Sequence, residues 1–252
     1  MDIDISGARI FFTFPFDFPI LGKLSISETM LVSWIVMAVI TLLCIFLTRD
    51  LKVENISKRQ ALAELIVETA DHFVVGNMGE RFRYMIPFVA ALFATSVVSN
   101  LISLIGLRSP TADLSTEAAW AVVVFILITS EKIKAGGIGG YLKGFTQPIP
   151  VLTPFNILSE LATPISMACR HFGNILSGVV IDTLIYGALA VASSALFGLL
   201  PGALGNVLSK VPFLSVGLPA ITGVYFDWFS GCMQAFIFSM LTVMYIANAA
   251  ES

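Results

Sequence analysis

The sequence predicts an all-α integral membrane protein with about five membrane passages, one amphipathic surface helix, and a last pair of helices that are long and strongly tilted. Three observations predict it. Of the 252 residues, 57% are hydrophobic and only 12% charged, where a soluble domain has about 25% charged, and the mean hydropathy is +0.90. Uncharged runs of membrane length recur along the chain. In the last hundred residues, the acidic, basic and histidine side chains are only Glu160, Arg170, His171, Asp182, Lys210, Asp227 and Glu251.

The whole chain, 1–252, reads as a single membrane domain, with no repeat and no linker between soluble parts. Residues 1–27 form an external N-terminal segment in which Phe11, Phe12, Phe14, Phe16 and Phe18 alternate with turn-formers and acids, a pattern that fits a short strand or an interfacial anchor equally. The acids of Met1-Asp2-Ile3-Asp4 stand where a signal peptide has basic residues, so no cleaved signal is expected. Residues 28–48 are the first transmembrane helix, uncharged from Thr29 to Thr48 and ended by Arg49-Asp50-Leu51-Lys52.

Residues 57–77 predict an amphipathic helix on the membrane surface or against a partner helix. Leu62, Leu65, Ile66, Thr69 and Phe73 recur at helical spacing, Lys58, Arg59, Glu64, Glu68 and Asp71 take the other face, and Ser57 is the N-cap. His72, near its end, reads as a solvated surface residue. Residues 84–131 are a helical hairpin. Its first limb places Ser96, Ser99, Asn100 and Ser103 on one face, which suits helix packing or a wet path. Its second limb is free of charge only from Ala118 to Ser130, so it spans a membrane if Glu117 and Glu131 sit at the two interfaces.

The glycine-rich stretch Lys132 to Gly140 predicts a flexible basic loop, and it lacks the Gly-Lys-Ser/Thr ending of a phosphate-binding loop. Pro148, Pro150 and Pro154 stop any helix before Phe155. Residues 154–250 then hold two long helices around a loop from Pro201 to Pro212. The first outruns one upright passage and has bend points at Pro164 and Gly173. Nine basic residues, Arg49, Lys52, Lys58, Arg59, Arg81, Arg83, Lys132, Lys134 and Lys143, flank one side against Arg9, Lys23, Arg108 and Lys210 on the other. The more basic side is the cytoplasmic one, so the N-terminus is expected outside and the C-terminus inside.

Net charge −3 and the absence of a basic block exclude nucleic acid as a partner. Cys44, Cys169 and Cys232 show no paired spacing and read as small buried hydrophobes, so neither metal nor cofactor is expected.

Arg170 is the only Lys or Arg between Lys143 and Lys210. A cation within an apolar span costs about 2.5–3.5 kcal/mol on insertion scales, so it is retained where it acts; the alternative is an arginine that snorkels or ties two helices together. At about 100° per residue, Asn174 and Ser177 lie one and two turns beyond Arg170 on its face, with Gly173 beside them, where small residues admit another helix. On the last helix, Asp227 and Gln234 share a face. Each of the others has a plainer reading: Asp227 and Asp182 facing headgroups, Glu160 complementing a helix dipole, Gln234 as an interhelical hydrogen bonder, and His171 as a packed neighbour rather than a proton relay.

Taken in order, Pro110-Thr111-Ala112-Asp113, Pro164-Ile165-Ser166, Arg170-His171-Phe172-Gly173-Asn174, Ser177-Gly178 and Gln234-Ala235-Phe236-Ile237-Phe238 resemble subunit a of the rotary F-type ATP synthase, over most of the chain and least clearly before residue 25. The resemblance implies two ion-channel helices wrapped against a ring of c subunits, with Arg170 as the essential charge facing the ring carboxylate. It also implies two half-channels for H⁺ or Na⁺, a b-subunit peripheral stalk and other synthase subunits as partners, a bacterial plasma membrane, and no bond chemistry on this chain by itself. The sequence departs from many relatives at Val179, where they have an acid, and at Asp227, where they have a histidine. The outer path would therefore fall to Asp227, with Asp182 or His171. Two other readings stand beside this one: a self-contained transporter with Arg170 binding an anion, and a structural scaffold.

Overall fold

The structure, a computed structural model, describes residues 9–18, 22–198, 222 and 224–251. The N-terminal aromatic stretch is a strand: β1 (Ile10–Phe18) pairs antiparallel with β2 (Gly22–Ser27), with Ile10 opposite Ser27 and Asp17 opposite Lys23. β2 runs directly into α1 (Glu28–Thr48), where the Ser27 hydroxyl accepts from the Met30 N–H. Most of α1 is exposed. Only Thr29, Val32 and Val36 are buried, the two valines against Ile102, so this helix presents apolar side chains to its surroundings.

α2 (Lys58–Met78) begins where expected, with the Ser57 hydroxyl accepting from the Gln60 N–H at 3.2 Å. It ends at Gly79, whose φ of +87° suits glycine. Leu62, Leu65, Ile66 and Val67 remain exposed, whereas Val74 and Met78 near the end are buried. A 3-10 turn, Glu80–Met85, leads into α3 (Ile86–Leu101), and Arg83 reaches back to Asp71 at 3.0 Å.

α4 (Leu114–Gly144) starts at Asp113, whose carboxylate accepts from the Ser115 N–H. One expectation is corrected here. The stretch from Lys132 to Gly140 is not a loop: α4 runs through it with one break, at Gly137 (φ 69°, ψ 171°). A single residue outside helical geometry redirects the axis, and Lys134 to Glu131 and Lys132 to Glu160 tie the segment down. Glu117 is fully buried within the chain, as Glu131 nearly is.

A 3-10 turn, Pro150–Leu152, precedes α5 (Thr153–Gly198), an unbroken helix of 46 residues with Pro164 inside it. At 1.5 Å per residue it is about 69 Å long, more than twice a bilayer core of about 30 Å. The Pro201 to Pro212 loop, with Lys210, lies outside the described residues. The chain returns as a π-helical stretch, Val224–Ser230, continued by α6 (Gly231–Glu251).

The core lies where α3, α4, α5 and α6 meet the end of α2, around Val89, Val124, Met167, Phe238 and Ile246. Among the described residues, four stretches are long and apolar enough to cross a membrane: Glu28–Thr48, Glu80–Ile105, Pro150–Gly198 and Val224–Glu251. The chain is thus a helical membrane protein, and α4, with two carboxylates at the ends of its apolar run, is not among those four.

Candidate functional site

Arg170 and His171 are neighbours on α5 with opposite surroundings. Arg170 is exposed, and among the described residues it has neither a hydrogen bond nor an ion pair. His171 is fully buried. Its Nδ1 lies 3.0 Å from Glu117 Oε2 on α4, and its Nε2 lies 3.3 Å from Ser96 Oγ on α3. Trp120 and Phe238 close the remaining sides, with ring centroids 6.3 and 5.5 Å from the imidazole. Four helices therefore meet at this ring.

One turn on from Arg170, Asn174 is half-buried and faces the end of the π-helical stretch that leads into α6. Its amide Nδ2 donates to Ser230 Oγ at 2.9 Å, and the Ser230 hydroxyl lies 3.1 Å from Asn174 Oδ1. Ser177 is exposed on the Arg170 side, its hydroxyl turned back to the Asn174 carbonyl. Gly178 allows α5 to approach the last helix closely: a Cβ there would lie 3.3 Å from Phe226 Cβ.

The polar face of α3 is buried against the other helices. Asn100 donates to the Gly231 carbonyl at 2.9 Å and accepts from Thr111 Oγ1 at 2.6 Å; Ser109 donates to the Ser99 carbonyl at 2.7 Å. Thr29 of α1 joins this end by donating to Asp113 Oδ2 at 2.9 Å. Gln234 is buried on α6, one turn before Phe238, and its Nε2 has no hydrogen-bond partner among the described residues.

Glu160 is not at a bare helix end. Lys132 Nζ bonds both of its oxygens, at 2.8 and 2.7 Å, across the α4 and α5 interface. The pair lies between two cavities. One, of about 540 Å³, opens along Gly140, Lys143, Gln147 and Asn156; the other, of about 190 Å³, reaches Thr163, Tyr245 and Asn248. Asp182 is half-buried, with Oδ1 shielded and unpaired among the described residues, and it lies twelve residues, about 18 Å, along α5 from Arg170. Val179 is exposed. Asp227 is in the π-helical stretch, a geometry that concentrates at functional sites; its side chain lies outside what is described.

Along α5 the structure thus turns Arg170 outward, His171 into the bundle and Asn174 onto Ser230, and sets Glu160 and Asp182 apart from them. Sequence reasoning missed Glu117 and Lys132 as partners. Glu117 is the fourth residue after the Asp113 cap, a place where an acid ordinarily serves the helix dipole, so nothing local marked it as buried.

The family model described as ATP synthase A chain matches residues 30–247. Among curated relatives, ATP synthase subunit a of Desulforamulus reducens is 31% identical over 99% of this chain and 89% of its own length. ATP synthase subunit a 1 of Hahella chejuensis is 32% identical over 92% of this chain and 87% of its own. ATP synthase subunit a 1 of Chlorobaculum parvum is 33% identical over 92% of both. A family match over residues 30–247 and relatives 31–33% identical over most of the chain lead to one conclusion: the chain belongs to the ATP synthase subunit a family.

Proposed function

We propose that this chain is the ion-channel stator of a rotary ATP synthase. It would pass H⁺ or Na⁺ through two half-channels to and from the carboxylates of a c-subunit ring, coupling ion flow to rotation and ATP synthesis while making no bonds itself. The observation that carries this reading is Arg170: a permanent cation on an apolar helix, exposed and without a partner among the described residues. Ser159, Ala162, Ser166 and Ser177 around it are small and exposed, which leaves room for the helices of a ring.

Arginine suits the task because a guanidinium stays charged where lysine would release its proton. A fixed cation between two wet paths blocks direct leakage and favours the ionised form of a carboxylate brought opposite it. Such a pair is worth about 4 kcal/mol at 4 Å with an effective dielectric near 20. A membrane potential supplies about 2.3 kcal/mol per charge per 100 mV, which is comparable, so the contact can break. The cavities flanking Lys132 and Glu160 fit the mouth of the inner path.

In this reading α1, α3, α4, α5 and α6 make five passages, with the N-terminus outside and the C-terminus in the cytoplasm of a bacterium. A b-subunit peripheral stalk and the other synthase subunits complete the assembly. Purification of the complex tests it: a ring of a small hydrophobic subunit should copurify in fixed ratio. Transport of an anion by this chain alone in liposomes would instead favour a self-contained transporter.

A further inference from the structure

We propose that the buried Glu117 and His171 pair is a proton-carrying site on the path to Arg170. The inference rests on the stator reading and deepens it. Four observations support it. Both side chains are fully buried, and Glu117 Oε2 is 3.0 Å from His171 Nδ1, a distance across which a proton moves and no hydrated cation fits. Both Glu117 oxygens and His171 Nδ1 lack an aligned hydrogen bond among the described residues, so the pair retains unused capacity for a proton or a water. The ring's other nitrogen faces Ser96 Oγ at 3.3 Å, giving the imidazole an entry and an exit on opposite sides. His171 is also the residue next to Arg170, which places the pair on the helix that bears the coupling charge.

The chemistry needs no other reactant. A proton taken from water by the Glu117 carboxylate forms an O–H bond and passes to His171 Nδ1. The imidazolium then releases the proton on Nε2 to the Ser96 hydroxyl side, and a tautomer change resets the ring. Each step makes one bond to hydrogen and breaks one, and the pair ends as it began. Of the four side chains around the ring, Glu117, Ser96, Trp120 and Phe238, only Glu117 carries an acidic group that can exchange a proton with imidazole. This assigns to a pair on α4 and α5 the work that Val179 cannot do.

The test uses the assembled complex in vesicles, with ATP-driven uptake followed by a pH probe, and compares the unaltered chain with Glu117→Gln, His171→Gln, Glu117→Asp and Arg170→Ala. Glutamine keeps the shape and polarity of the pair and removes its proton exchange, so uptake should fall about tenfold or more in either glutamine variant. Glu117→Asp should restore part of the rate with a displaced pH profile, a change that a packing role would not cause. Uptake within about twofold of the original in an assembled glutamine variant overturns the proposal, as does failure of both variants to assemble, which would make the pair part of the fold. If Arg170→Ala keeps its uptake, the stator reading itself has failed; if only that variant is silent, this inference alone has failed.

Discussion

Consecutive residues Arg170 and His171 divide the two sides of α5: the guanidinium is exposed and unpaired among the described residues, while the imidazole is fully buried 3.0 Å from Glu117. One helix therefore offers a charge to a partner and anchors itself to its own bundle within a single peptide. Anchoring matters to the proposed mechanism, because a cation that swings freely would hold no fixed station for a passing carboxylate.

The anchor can be tested at Gly231. A Cβ there would lie 2.9 Å from Asn100 Cβ, and Asn100 is itself bonded to the Gly231 carbonyl and to Thr111. Gly231→Ala should destabilise the chain by about 1–3 kcal/mol through overpacking, read as a lower melting temperature of the complex in detergent.

Asn174 and Ser230 hold α5 to the last helix by their side chains. Such contacts within membranes average about 0.6 kcal/mol and reach about 1.7 kcal/mol. A double-mutant cycle of Asn174→Ala and Ser230→Ala, read by chemical or thermal unfolding, should give a coupling energy in that range; a coupling near zero would remove this contact as an anchor.

The cavities beside Lys132 and Glu160 should admit water from the cytoplasm. Cysteine placed at Ser159 or Asn248, which line them, should react with a membrane-impermeant thiol reagent added on that side and resist it from the other. Reaction only from the outside would reverse the proposed orientation.

Away from the membrane core, the Asp71 carboxyl is held below its ordinary value of 3.8, chiefly by the hydrogen bond from Arg83. The sign follows from linkage: a depressed acid stabilises the fold above its unfolded pKa, and the contribution disappears as pH falls through the folded one. The melting temperatures of the original chain and Asp71→Asn should differ by a constant amount from pH 8 to about 5, start to converge near pH 4 and meet only below the depressed folded pKa.

Elements whose signals are local were legible in the sequence. The uncharged run to Thr48 became α1, the Ser57 cap and apolar spacing became α2, and the excess length after Phe155 became the 46-residue α5. What depends on distant partners was not. Glycines at 136, 137, 139 and 140 suggested a loop, yet only Gly137 leaves helical geometry, and the Lys132 and Lys134 ion pairs to Glu160 and Glu131 fix the turn just before them. Glu117 and His171 are 54 residues apart on different helices, and neither the spacing nor the composition around Glu117 distinguishes an acid facing water from one facing an imidazole.

Replacing Arg170 by alanine in the assembled synthase, and following ATP-driven ion uptake into vesicles with pH and sodium probes, tests the central claim most directly. Subunit composition must match the original before the traces are compared. The account predicts that uptake of either ion disappears while the complex stays whole. Uptake near the original rate from an intact Arg170→Ala complex would contradict it and reduce Arg170 to a structural residue.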